Sequence, residues 1–199
     1  MSDARLAVLS SKPRDIPVHI QCAQVTRVYS DASFEDGILR LGWVISPPTS
    51  MPVGGTCVVP PSVIAHWKPR TQQIYPGETL AAVVVPALCP TVLCNADVLW
   101  FFDNESAVSA LIRASTAEPD VLILVQQAHL QFNDLRMRTW IEWIDSASIP
   151  ADGLSRLGLL DEWTATQPWH VQEFSFPPLS DPATFLAQLA APIGSVNSG

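Results

Sequence analysis

The residue pattern predicts an α/β fold: a mixed five-stranded sheet, three antiparallel strands followed by two parallel ones, with helices on both faces. Two observations predict it. Between Gln24 and Val59 three strand-like segments follow one another with only turn signals between them, as in a meander. Two further short apolar segments, Asp97 to Phe102 and Trp140 to Asp145, each follow a stretch with helical spacing, as in strands reached by a helical crossover.

The elements read in order as follows. Residues 1–23 form an N-terminal lead with Pro13 and Pro17. Val25–Phe34 and Ile38–Ile45 form a hairpin about the turn signal Glu35-Asp36-Gly37. Pro47-Pro48 through Gly54-Gly55 reads as a loop, and Thr56 to Val59 as the third strand. Pro76-Gly77-Glu78 opens a helix with an acid near its positive end. Pro86 should kink or end that helix. Asn104 caps a helix running from about Glu105 to Ala114. Leu122, Val125, Ala128, His129, Phe132 and Leu135 give helical spacing to Val121–Thr139. Pro150-Ala151-Asp152-Gly153 starts the last helix of a domain spanning residues 24–160. Residues 161–199 read as an acidic, Pro-containing tail with one short helix around Ala183–Leu189.

Composition narrows the class. A hydrophobic share of 48% is enough for a sizeable core. The longest apolar runs, such as Val98–Phe102 and Val121–Val125, are far too short to span a bilayer, so no membrane contact is expected. The N-terminus shows no secretory pattern, and Cys22, Cys57, Cys89 and Cys94 form no C-x-x-C pair. Buried, reduced thiols in an intracellular protein (cytoplasmic or nuclear) are the expectation. The net charge is −8, which opposes phosphate binding. Residues 161–199 hold Asp161, Glu162, Glu173 and Asp181 and no Lys or Arg, so half of that charge sits in the tail. Four acids of the body, Asp31, Glu78, Asp103 and Asp152, match the other half, and two divalent ions would cancel it.

These four acids are the candidate chemistry. Asp31 sits inside a strand, where burial of a carboxylate is costly unless it binds something. Asp103 follows the apolar run Leu99–Phe102, at the C-terminal end of a strand, where open α/β sheets bind ligands. Glu78 and Asp152 each open a helix, a place that also suits an acid for dipole reasons alone. Phosphodiester hydrolysis needs an activated water and a stabilised leaving oxygen, and two divalent ions on converging carboxylates supply both.

The motifs resemble the ribonuclease H domains that accompany reverse transcriptases in retroelements. The resemblance rests on Tyr29-Ser30-Asp31-Ala32-Ser33 with Leu41-Gly42-Trp43-Val44, on Gly77-Glu78-Thr79-Leu80-Ala81-Ala82, and on Phe102-Asp103-Asn104-Glu105-Ser106-Ala107. Pro150-Ala151-Asp152-Gly153-Leu154-Ser155-Arg156 is similar to the P-A-D-x-L-S-R stretch of several retroelement lineages and is the most specific of the set. Together they cover roughly residues 24–160. The resemblance implies a ribonuclease H-like sheet, with Asp31, Glu78, Asp103 and Asp152 as catalytic ligands of two Mg²⁺ or Mn²⁺ ions. It implies hydrolysis of the RNA strand of an RNA–DNA hybrid, beside a polymerase domain of a reverse transcriptase. An RNase H-like interaction module with weak or no catalysis is the alternative. Arg138 stands where transposase cores carry a Glu, and Ser33 where proofreading exonucleases carry an acid, so those relatives are disfavoured. Ser146-Ala147-Ser148-Ile149 supplies no His before the last Asp, and Ala114–Asp120 leaves no room for a basic protrusion.

Three further residues are candidate substrate contacts: Ser33 near Asp31, Arg156 four residues after Asp152 and, as the resemblance alone implies, Asn104 beside Asp103. Asn104 and Arg156 each have a structural alternative, as a helix cap and as a partner of a site acid. His129 is expected as a satisfied, partly buried side chain. Trp43, Trp100, Trp140 and Trp143 fall on predicted strands and are expected in the core.

Overall fold

The computed structural model describes residues 24–71 and 73–178. Its strands are β1 (Thr26–Glu35), β2 (Ile38–Ser46), β3 (Val53–Val58), β4 (Asp97–Phe102), β5 (Arg138–Trp143) and β6 (His170–Glu173). The helices are α1 (Pro61–Ile64), α2 (Ile74–Leu88), α3 (Pro90–Leu93), α4 (Glu105–Arg113), α5 (Pro119–Asp134), α6 (Asp152–Arg156) and α7 (Glu162–Ala165). The sheet order is β5-β4-β1-β2-β3-β6. The β1–β2 and β2–β3 pairs are antiparallel, and the β1–β4 and β4–β5 pairs are parallel.

This is the expected mixed sheet with one strand more. The sixth strand, β6, comes from the segment read as tail and lies parallel to β3. Its four residues carry one half-buried apolar side chain, Val171, too weak a period-two signal to read from sequence. The short helix expected around Ala183–Leu189 lies outside the described residues.

The hairpin turns where Asp36 and Gly37 take left-handed φ values of 51° and 78°, the geometry a two-residue turn between twisted strands requires. β3 begins earlier than the sequence suggests. Gly54 and Gly55 belong to the strand, because Gly55 pairs with Trp43 and a Cβ there would lie 2.3 Å from the indole ring. Helix α2 runs two residues past Pro86 to Leu88. Pro86 stands in the last turn, so only the bond that its missing N–H would make is lost. The predicted helix at Val121–Thr139 ends at Asp134, and Arg136 with φ 53° reverses the chain into β5.

Cross-strand pairs put Val28, Ala32, Leu39, Leu41, Trp43 and Ile45 on one sheet face. All are buried there with Trp100 and Phe102 of β4, and α2 packs on β1, β2 and α5. The opposite face presents Tyr29, Asp31, Ser33, Gly42 and Val44 to α6. Trp140 and Trp143 depart from the core expectation, at 68% and 46% exposed. They lie on β5, the edge strand. His129 is as expected: its Nε2 lies 2.8 Å from the Leu111 carbonyl and its ring meets Phe132 edge-on. Among the described residues Cys57, Cys89 and Cys94 are free thiols, and burial pushes Cys57 up to about 12 and Cys89 up to about 11. No helix among the described residues is long and apolar enough to cross a membrane.

Candidate metal centre

β4 pairs with β1 only as far as Tyr29, opposite Phe101. Beyond that point β1 has a free edge, and its Ala32 N–H lacks a strand partner on that side. Glu78, one turn into α2, takes that donor: Ala32 N–H donates to Glu78 Oε1 over 2.7 Å. Where β4 stops, Asp103 follows. Three acids from β1, α2 and the end of β4 therefore meet at the place where the parallel pair ends. One carboxylate oxygen from each of Asp31, Glu78 and Asp103 lies within 4.8 Å of the others.

Burial shapes their electrostatics. Glu78 is fully buried and Asp31 is 5% exposed. Burial first, then the neighbouring charges of Asp31 and Asp103, hold the Glu78 carboxyl well above the ordinary carboxylate range. Burial also raises Asp31, and the charges of Asp103 and Asp152 add to it, while the Ser155 hydroxyl opposes the shift. The second oxygen of Glu78, Oε2, is buried without a hydrogen-bond partner.

That orphaned oxygen tests whether a cation fits. An unsatisfied buried carboxylate oxygen beside two more carboxylates is unfavourable unless a proton or a cation sits among them, and the two compete for the same oxygens. The donor set is all oxygen, which suits Mg²⁺ or Mn²⁺. The residues fit a hard divalent cation.

The other predicted site residues lie outside this group of three. Asp152 opens α6, half-buried, and stands outside the group of three. It lies near enough for its charge to raise Asp31. Its Oδ1 accepts from Arg156 Nε at 2.8 Å, and Arg156 also reaches Glu35 at 3.3 Å. Arg156 thus pairs with a site acid. Asn104 caps α4, its side chain accepting from the Ala107 N–H at 3.1 Å. Ser33 is buried and its hydroxyl donates to the Ser155 carbonyl at 2.5 Å.

Sequence reasoning missed two residues that touch the acids. The Ser155 hydroxyl donates to Asp31 Oδ2 from α6. The Ser146 hydroxyl donates to Asp103 Oδ2 at 2.6 Å from the 3₁₀ turn Ser146–Ser148. Ser155 had a signal: it follows Asp152 by three positions, on the same helix face. Ser146 had none, because a loop residue 43 positions from Asp103 reaches it only through the fold.

No protein-family model matches the chain, and no curated protein matches it in sequence. Solved structures do match it. A ribonuclease H1 from the halophilic archaeon Halobacterium salinarum superposes with a TM-score of 0.51 at 19% identity, covering 67% of this chain and 96% of that one. The N-terminal ribonuclease H domain of a Mycobacterium tuberculosis protein, solved as a fusion with maltose-binding protein, gives 0.45 at 17%, covering 65% and 89%. A ribonuclease H1 from a compost metagenome gives 0.40 at 16%, covering 62% and 86%. The archaeal match and the strand order together make the fold of the described chain that of ribonuclease H.

Proposed function

We propose that this protein is a metal-dependent endonuclease that hydrolyses the RNA strand of RNA–DNA hybrids. The observation that carries the reading is the convergence of Asp31, Glu78 and Asp103 at the end of β4 in a ribonuclease H fold, with Glu78 Oε2 left without a partner. Asp31, Glu78, Asp103 and, at its edge, Asp152 would hold Mg²⁺ or Mn²⁺, two ions in the full reading. When bound, such ions activate water and stabilise the leaving 3′-oxygen.

The chain's own residues prepare that site. The Ala32 N–H fixes Glu78 through Oε1 and leaves Oε2 buried without a partner. Ser146 orients Asp103, and Ser155 orients Asp31. Binding would read the shape and 2′-hydroxyls of the RNA strand rather than its sequence. Ser33 and Asn104, engaged with the protein backbone, would shape the site next to Asp31 and Asp103, and Arg156 would meet substrate phosphate on leaving Asp152. The Pro150–Arg156 motif supports an origin in a retroelement, with a reverse transcriptase polymerase domain as the natural neighbour.

The test is cleavage of an end-labelled RNA–DNA hybrid under Mg²⁺ and Mn²⁺, wild type against Asp103→Asn. The wild type is expected to cut only the RNA strand and the variant to lose at least about 100-fold. A wild type that cuts nothing under either ion sinks the proposal.

A second reading, a ribonuclease H-like interaction module, is favoured by one observation. Among the described residues, Arg40, Lys68, Arg70, Arg138 and Arg156 each pair with a carboxylate of the same chain and are less free to meet phosphate. Failure to bind Mn²⁺ at millimolar levels in a calorimetric titration favours this module.

A further inference from the structure

Resting on the metal-centre reading above, we infer that Ser155 is a positioning residue for that centre: its hydroxyl holds Asp31 in the ligating orientation, a role separate from seating α6 on the sheet.

The argument starts from how much already seats α6 without that hydroxyl. The helix has five residues, too few to be stable by itself. Gly42 lies opposite Asp31 in the β1–β2 register and carries no Cβ, so the helix backbone comes down onto the strand. A Cβ at Gly42 would stand 2.4 Å from Ser155 N and 2.7 Å from the Ala151 carbonyl. The Ser33 hydroxyl donates to the Ser155 carbonyl at 2.5 Å, and the Thr56 hydroxyl lies between the Leu154 carbonyl at 2.9 Å and the Leu41 carbonyl at 3.0 Å and shares its hydrogen between them. Leu154 is buried among Val44, Ile149 and Ala151. Backbone notch, two side-chain bonds to helix carbonyls and an apolar anchor hold the helix.

The Ser155 hydroxyl is spent elsewhere. Ser155 is completely buried, and its Oγ reaches Asp31 Oδ2. It also lies 2.8 Å from the Asp152 carbonyl, within its own helix. A hydroxyl has one hydrogen, and a carboxylate is the stronger acceptor. Asp has a broad χ2, so a carboxylate on a strand needs a donor to fix its plane. The Glu78 carboxyl also hydrogen-bonds Asp31 while it holds a proton, but a carboxylate that ligates a cation has given that proton up, whereas the Ser155 hydroxyl keeps its own.

The experiment is calorimetric titration of the full chain with Mn²⁺ alone, comparing wild type, Ser155→Ala and Thr56→Val, with thermal midpoints recorded for each. Thr56→Val weakens the seat of α6 without touching Asp31, so it reports a merely structural role. Ser155→Ala is expected to lower Mn²⁺ affinity at least about tenfold. Thr56→Val should change it by less than about threefold, whatever it does to the midpoint. Ser155→Cys, which keeps the volume and donates weakly, should fall between wild type and Ser155→Ala, and it carries the test if Ser155→Ala does not fold. Wild-type affinity in Ser155→Ala or Ser155→Cys, or an equal loss in Thr56→Val, overturns the inference and leaves the metal centre standing. A wild type that binds no Mn²⁺ overturns the metal centre itself, and the inference with it.

Discussion

Asp31 and Gly42 face each other across β1 and β2, and the missing side chain of one creates the room in which the other is held. The glycine admits the backbone of α6, and α6 delivers Ser155 to the Asp31 carboxylate. A methyl group at position 42 must therefore displace the helix. Gly42→Ala is expected to cost about 1–3 kcal/mol of stability. It should also lower hybrid cleavage at least about tenfold even where the protein is fully folded, because Asp31 loses its donor. Chemical denaturation beside a cleavage assay checks both. Wild-type activity in a folded variant would show that α6 need not sit so close.

Glu78 is held at a cost. Replacing it by Gln keeps an acceptor for the Ala32 N–H and removes a carboxyl that must either add a third charge to the cluster or take up a proton to avoid it. Metal-free Glu78→Gln should therefore melt higher than metal-free wild type at neutral pH, by roughly 2–4 °C for each kcal/mol of relieved repulsion. Added Mn²⁺ should raise the midpoint of wild type and leave that of the variant unchanged. Scanning calorimetry with and without the ion decides it. A variant less stable than wild type in the absence of metal contradicts this account of the site.

The raised carboxyls of Glu78 and Asp31 set a pH dependence of definite sign. The folded, metal-free chain keeps protons on these groups at pH values where the unfolded chain has lost them. Their contribution to stability is complete below the ordinary carboxylate range and declines as pH rises through the raised folded values. Cations compete for the same oxygens, so Mn²⁺ affinity should climb over that interval and level off above it. Titrations in buffers of different ionisation enthalpy should show proton release on binding. Affinity that does not change between mildly acidic and neutral pH removes the electrostatic basis proposed here.

Away from the site, Asp120 anchors the segment before α2. It accepts from the Lys68 N–H at 2.9 Å and from Arg70 at 2.6 and 2.8 Å. The hydrogen bond from Arg70 is the main cause holding its carboxyl down to about 2. Its folded value lies below the unfolded one, so its contribution is fully present above the ordinary aspartate value of 3.8 and is lost as pH falls through about 2. The contribution is on the order of 2 kcal/mol. Asp120→Asn should lose that much at neutral pH and progressively less as pH falls from about 4 to 2, read from urea midpoints across the range. An equal loss at both ends would rule out the ion pair as its source.

Much of the fold was legible in order along the chain. The hairpin at Asp36-Gly37, the apolar run before Asp103 and the cap at Asn104 are local signals, and local structure follows them. The sixth strand was not legible, because a four-residue segment with one half-buried side chain joins the sheet only when β3 offers an edge. Trp140 and Trp143 were read as core because strand residues usually are, yet β5 lies at the edge of the sheet. The candidate acids were legible as residue types in a motif order. Their meeting was expected only through the family resemblance, and the structure gathers Asp31, Glu78 and Asp103.

The sequence by itself determined the mixed α/β pattern, the four acids in their contexts and the charge that weighs against tight nucleic-acid binding. Periodicity, turn chemistry and composition are local properties and can be read without a fold. The tertiary structure alone decided that Asp31, Glu78 and Asp103 gather while Asp152 stands paired with Arg156 at their edge. It alone showed Glu78 capping the free edge of β1, and Ser146 and Ser155 arriving 43 and 124 positions away to orient the acids. Those contacts depend on where one strand stops beside another, and that is a property of pairing between distant segments rather than of any segment alone.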